Sequence, residues 1–234
     1  MKFVTLELRK NSCKPYIFAD IGIFIAVLVF TFLFASIQYI EPAEVLRDDS
    51  LKSSGFILTM SITIATVSYI CLAAVMSGKF ILEAYNSNNI FLTLSYPVSR
   101  KKILFSKIFL VSLFTIISFV MTMILTILIF TVTNNMFSIM EDKITLSLLI
   151  SKTPMILLSL VFIVSGSMFY LLIGWIKKSL PLVIITAVIF GSIFSNLLGF
   201  DSLAILSVFT IVIFSLGLVS IVILNNKIAK LEVE

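Results

Sequence analysis

Residues 107–132 read KIFLVSLFTIISFVMTMILTILIFTV, and after Lys107 nothing in this run carries a charge. A bilayer hydrocarbon core about 30 Å thick is crossed by roughly 20 apolar residues in a helix. This stretch meets that length. Working outward, five more segments do so as well, at about 17–40, 55–77, 153–175, 180–199 and 203–224. The last two are separated only by Asp201 and Ser202, which predicts a tight hairpin. Between other spans lie turn signals such as Glu41-Pro42 and Asn134-Asn135. The expected fold is an all-α integral membrane protein with six transmembrane helices.

Composition agrees. Of 234 residues 60% are hydrophobic and 12% charged, with 22 phenylalanines, whereas a soluble domain has about 25% charged and 45–50% apolar residues. The longest polar excursion, about thirty residues, is too short for a separate globular core. The whole chain, 1–234, therefore reads as a single transmembrane domain. The first apolar run is a full span with no small-residue cleavage site after it, so no cleavable signal is expected. Cys13 falls in the basic N-terminal segment and Cys71 within a span, which makes no disulfide framework.

Lys and Arg alternate sides unequally. One side holds Lys2, Arg9, Lys10, Lys14, Lys79, Arg100, Lys101, Lys102, Lys107, Lys177, Lys178, Lys227 and Lys230; the other holds Arg47, Lys52, Lys143 and Lys152. Thirteen against four places both termini in the cytoplasm under the positive-inside rule. The net charge of +5 is thus explained by topology, and no nucleic-acid partner is expected. Residues 1–15 read as an interfacial helix closed by Pro15, with Phe3, Val4, Leu6 and Leu8 interleaved with Glu7, Arg9 and Lys10, in preference to a disordered basic tail that merely obeys the topology rule. Its basic side chains would lie near anionic lipid headgroups.

The cytoplasmic connection at 78–106 is more than a linker. Asn88 or Asn89 can cap a short helix carrying Ile90, Phe91 and Leu94, and Pro97 stops it. Ser99 can then cap a helix that begins at Arg100, Lys101 and Lys102 and runs on into span three. As one helix, residues 100–132 would be about 50 Å long, which exceeds the membrane and leaves the first turns in the cytoplasm. Two roles fit the short apolar helix: a surface helix resting on headgroups, or a knob docking into a soluble partner.

Glu83, the polar cap pair, the Leu92-Thr93-Leu94 turn, Tyr96-Pro97-Val98-Ser99-Arg100, Lys102-Ile103-Leu104 and Lys107 resemble the cytoplasmic loop of ABC-2-type transporter permeases. The resemblance extends over the chain in topology and rests on about 25 residues of motif. Family members commonly have Gly-Thr where Asn88-Asn89 stand, a change that keeps a capping side chain. The resemblance implies a cytoplasmic coupling helix between spans 2 and 3 that inserts into a separate ATPase. It implies that Ile90, Phe91, Leu94 and Tyr96 form the contact surface, and that Glu83 and Arg100 set the helix angle. It further implies a bacterial plasma membrane, two copies of the ATPase holding ATP and magnesium, and a second permease chain as homodimer or heterodimer. Relatives of this kind confer immunity to lantibiotics or bacitracin, or export amphipathic toxins such as phenol-soluble modulins.

Polar residues inside spans are costly unless they face protein or water. Thr59, Thr63, Thr66 and Tyr69 recur at helical spacing in span two, and Thr115, Ser118, Thr122 and Thr126 in span three. These are candidates to line a pathway, or hydroxyls that satisfy themselves on their own backbone and pack helices together. Gly191, Ser195 and Gly199 make a small-residue stripe expected to mark a close helix contact. Asp20 reads as a helix N-terminal residue facing the dipole, so no acid or base is expected deep within a span. With no histidine either, ion coupling is disfavoured and a hydrophobic or amphipathic substrate is favoured. The chain lacks a His-Glu-x-x-His site, a Gly-x-Ser-x-Gly elbow and a phosphate loop, so it is expected to be neither an enzyme nor an ATPase, and to hold no cofactor or metal. A channel or assembly scaffold without ATP coupling accounts for the spans but not for the capped helix before Pro97.

Overall fold

Every regular element of the computed structural model, which describes residues 14–40, 53–82, 100–137, 139–140, 144–200 and 202–230, is helical. The order is α1 Lys14–Ile40, α2 Ser54–Ser77 prolonged by a π-helical turn Gly78–Leu82, α3 Arg100–Phe137, α4 Leu146–Lys177, α5 Leu180–Gly199 and α6 Leu203–Lys230. All six are long and apolar enough to cross a membrane, the architecture of a multi-pass membrane protein.

Several helix ends differ from the sequence expectation. Helix α1 already includes Lys14 and Pro15, which were assigned to the interfacial segment; proline is tolerated in a first turn, where its missing N–H has no intrahelical partner to lose. Residues 1–13 lie outside the described residues. The α3 helix does not stop at Asn134-Asn135. Instead the Asn134 side-chain oxygen accepts the Met140 N–H at 2.8 Å, so this asparagine caps the turn that follows the helix. Helix α4 starts at Leu146 rather than near 153 and passes through Pro154 without ending. At its other end Lys178 takes a left-handed conformation, φ 49°, and the Lys178 and Ser179 N–H groups bond the carbonyls of Trp175 and Gly174. That cap, with Pro181 in the first turn of α5, makes the sharp α4–α5 reversal.

Helix α2 is the centre. It packs against α1, α3, α4 and α5, and 61% of its apolar stretch is buried, against 11% for α1. Chain neighbours run antiparallel, so the ends near Lys14, Leu82, Arg100, Lys177, Leu180 and Lys230 form one basic end of the bundle. Contacts there include the Tyr16 and Phe80 rings, edge to face at 5.2 Å. At the opposite end the Tyr39 hydroxyl donates to the Ile139 carbonyl at 2.8 Å. Three aromatic rings join α4, α5 and α6: Phe162 stacks on Phe194 at 4.0 Å, and both meet Phe209. Such pairs add about 0.5–1.5 kcal/mol each beyond the area they bury.

The small-residue stripe on α5 does not form the expected contact. A Cβ on Gly199 would meet nothing within 4 Å, and the Ser195 hydroxyl turns back to the Ser192 carbonyl. Gly191 alone faces another helix, with Ile70 at ordinary van der Waals distance. The close crossing lies elsewhere, between α4 and α6. There a Cβ on Gly217 would come within 2.7 Å of the Ser165 backbone oxygen. Close approach of backbones needs a glycine opposite a small residue, and this pair supplies it.

Candidate functional site

Of the residues assigned to ATPase coupling, Glu83, Ile90, Phe91, Leu94 and Tyr96 lie outside the described residues, and Arg100 is the first residue of α3. The described structure supplies the two roots from which that loop springs. One is the π turn Gly78–Leu82, where Gly78, Phe80, Ile81 and Leu82 are all buried. The other is α3, which starts at Arg100 and continues for 38 residues without a break, as expected.

A lysine ties the roots together. Lys107 is 4% exposed, and its Nζ donates to the Phe80 carbonyl at 2.7 Å. The last carbonyls of a helix have no intrahelical donor and carry the negative end of the macrodipole. The Phe80 carbonyl, in the last described turn of this segment, thereby receives a charge-assisted hydrogen bond. Such a partner is what a buried lysine needs in a bilayer.

The hydroxyl stripes lie within the packed bundle. Thr59 and Thr66 on α2, and Thr115, Ser118, Thr122 and Thr126 on α3, are buried, while Thr63 is half-buried. Thr59 donates to the Gly55 carbonyl at 2.9 Å, Thr63 to Thr59 at 2.7 Å, Thr66 to Ile62 at 2.6 Å and Thr115 to Val111 at 2.9 Å. Each is thereby satisfied one turn back on its own helix, as expected of hydroxyls that serve as packing groups. Thr126 Oγ1 is buried with no hydrogen-bond partner among the described residues.

Thr122 behaves differently, and with it the expectation for Asp20 is corrected. Helix α1 begins at Lys14 and has no acid in its first turn, so Asp20 does not face the helix dipole. Its Oδ1 instead accepts the Tyr69 hydroxyl at 2.5 Å. Tyr69 is wholly buried near the middle of α2, and its oxygen also lies 2.7 Å from Thr122 Oγ1 and 3.2 Å from the Ser118 carbonyl, both on α3. The phenol has one proton, and the carboxylate is its strongest and nearest acceptor. Thr122 then donates to the phenol oxygen. The result is a polar junction of three helices within the membrane-spanning region, beside an edge-to-face contact of Tyr69 with Phe119. Another interhelical bond, between Thr31 Oγ1 and Ser61 Oγ at 2.9 Å, joins α1 to α2 farther along.

Interhelical hydrogen bonds in bilayers contribute about 0.6–2 kcal/mol each. Tyr69→Phe removes both side-chain bonds and is expected to cost about 1–3 kcal/mol in resistance to unfolding by sodium dodecyl sulfate in mixed micelles. Asp20→Asn should cost less, and adding it to Tyr69→Phe should cost little more, because the shared bond is already gone. Fully additive losses would show that Asp20 and Tyr69 do not act as a unit.

Sequence reasoning placed Tyr69 only on the span-two stripe, Lys107 only within the loop motif and Asp20 at a helix N-terminus, and joined none of them to a partner. The available signal was the position of Asp20 in the apolar run that follows Pro15, and of Tyr69 on the threonine face of α2. No group of three or more His, Cys, Asp or Glu able to hold a metal occurs among the described residues. The chain is 25% identical over 197 residues to the uncharacterized protein YcbO of Bacillus subtilis (strain 168), an alignment covering 84% of each chain. No protein-family model matches the chain, and neither does any solved structure.

Proposed function

We propose that this chain is the membrane-spanning subunit of an ATP-binding cassette exporter of the ABC-2 type, driven by a separate cytoplasmic ATPase. The observation that carries the reading is the rooting of residues 83–99. A π turn precedes them and a 38-residue helix follows, and Lys107 bonds one of these roots to the other. A connection that only had to join two spans needs neither a buried ammonium at its base nor a helix of about 57 Å, longer than the membrane is thick. A loop that transmits force from a docked partner needs a rigid base. With the motif around Pro97 and Arg100, this geometry favours a coupling loop over a headgroup-resting one.

Under this reading both termini are cytoplasmic, the membrane is a bacterial plasma membrane, and two chains assemble with two ATPase copies. The substrate is a hydrophobic or amphipathic molecule, of which a peptide toxin or antimicrobial peptide is the favoured class. It enters from the inner leaflet or cytoplasm. The chain itself binds neither ATP nor magnesium; both belong to the partner.

A second reading, transport coupled to a proton or ion gradient, has one observation in its favour. Asp20 places a carboxylate against Tyr69 inside the bundle, and intramembrane acids commonly serve such coupling. Co-expression with an ATPase encoded beside it separates the two. The permease reading expects co-purification of the ATPase, an assembly of two chains with two ATPases, and export that stops on ATP depletion. A chain that stays monomeric with the ATPase present, and export abolished by a protonophore at constant ATP, would overturn it.

A further inference from the structure

We propose that Lys107 is a positioning residue. Its ammonium clasps the C-terminal end of α2 to α3, so that the two roots of residues 83–99 move together. In the permease this makes Lys107 necessary for coupling and dispensable for ATPase docking, an inference that rests on the permease reading for its functional half.

Lys107 is almost wholly buried, and its Nζ reaches the Phe80 carbonyl at 2.7 Å. The neighbouring basic residues Lys79 and Lys102 are exposed. Exposed lysines at the end of a span are what topology alone requires. A lysine one turn farther along α3 could likewise extend toward water, since long basic side chains near helix ends usually do. Lys107 instead points into the contact between helices. Its ammonium donates there to a carbonyl of the π turn that prolongs α2.

Packing supports the same end of the bundle from several sides. Phe80 is held edge-on by Tyr16 of α1, Leu104 of α3 is fully buried in the same core, and a Cβ on Gly78 would press on Leu180 of α5 at 3.3 Å. The π turn is therefore seated by apolar contacts with its neighbours. The Lys107 bond adds direction: it fixes one carbonyl of α2 to one turn of α3. Rotation or sliding of either root must carry the other or break a charge-assisted hydrogen bond in a low-dielectric setting. Force applied to the loop would then reach α2 and α3 as one body, and α2 packs in turn against α1, α4 and α5.

The test uses the full chain with its ATPase, carrying nitroxide labels at Lys79→Cys and Lys102→Cys with the native cysteines replaced. Lys107→Met keeps the length and loses the donor; Lys107→Arg keeps charge and donor. Membrane insertion of each is checked first by yield in the membrane fraction. The expected result is a narrow label-to-label distance distribution in the parent and in Lys107→Arg, and a clearly broadened one in Lys107→Met. Substrate-stimulated ATP hydrolysis should fall at least tenfold in Lys107→Met, with ATPase co-purification within twofold of the parent and with Lys107→Arg recovering most of the stimulation. An unchanged distribution in Lys107→Met overturns the clasp. A broadened distribution with full stimulation overturns its role in coupling. If the parent binds no ATPase, the permease reading fails, and the distance measurement still decides the clasp. Loss of insertion in both variants would show a folding role and also overturn the proposal.

Discussion

Phe91→Ala and Leu94→Ala are each expected to weaken ATPase docking by about tenfold to a hundredfold while leaving all six spans inserted. Burying a Phe or Leu side chain contributes about 1.5–3 kcal/mol, which sets the range. The spans are spared because both positions fall in sequence between α2 and α3, outside the six described helices of membrane-crossing length. Arg100→Ala should behave differently. If Arg100 orients the coupling helix through Glu83, its loss lowers transport and retains much of the docking. Co-purification of the ATPase and substrate-stimulated hydrolysis, measured on all three variants, separate these effects. Normal binding and coupling in Phe91→Ala and Leu94→Ala would reduce the segment to a surface helix on the headgroups and remove the main support for an ABC permease.

The contrast between this pair and Lys107 gives the permease reading internal structure. Apolar residues of the connection carry affinity, and the buried ammonium at its base carries transmission. A variant at one place should leave the other property nearly intact, because contact with a partner and stiffness of the loop's root are separate physical quantities. If both kinds of variant lost docking alone, or transmission alone, that division would be wrong.

The spans were legible because hydrocarbon length is a crude and dominant constraint: twenty apolar residues announce a helix whatever packs on it. Helix ends were less so. Asn134-Asn135 reads as a turn and instead lies in the last turn of α3, because a side-chain cap to Met140 lets the helix continue past its turn signal. Asp20 was misplaced for a related reason. A start of α1 near residue 17 puts the carboxylate at a helix N-terminus; the actual start at Lys14 carries it inward to Tyr69. Only the register between α1, α2 and α3 brings those groups together, and a single chain's periodicity contains no register between helices. The threonine stripes show the same limit. Their spacing predicts a shared face, and nothing in that spacing says whether the face meets water or another helix. In the folded chain most of these hydroxyls bond their own backbone inside the bundle, and Thr122 alone among the stripe's side chains reaches Tyr69.

Glycine shows the limit most sharply, and it yields a large effect. Gly191, Ser195 and Gly199 have the spacing of a contact motif, yet the backbone approach occurs at Gly217 against Ser165, where no repeated pattern flags it. Gly217→Ala places a methyl group 2.7 Å from the Ser165 carbonyl oxygen and 3.2 Å from its Cβ. The nearer atom belongs to the backbone, so no rotamer change relieves the clash and α6 must move off α4. Overpacking of this kind costs about 1–3 kcal/mol, more than the roughly 0.5–1 kcal/mol that alanine gains over glycine in a helix. Gly217→Leu should cost more still, because α4 and α6 form the most extensive helix pair in the bundle. Gly199→Ala is the control: nothing lies within 4 Å of its Cβ, so it should be neutral or stabilising by up to about 1 kcal/mol. Ser165→Gly combined with Gly217→Ala should recover little, since deleting the Ser165 side chain leaves its carbonyl in place. Unfolding by sodium dodecyl sulfate in mixed micelles, followed for the four variants, reads the ranking directly. Equal stability of Gly217→Ala and Gly199→Ala would mean that α4 and α6 do not cross at this point.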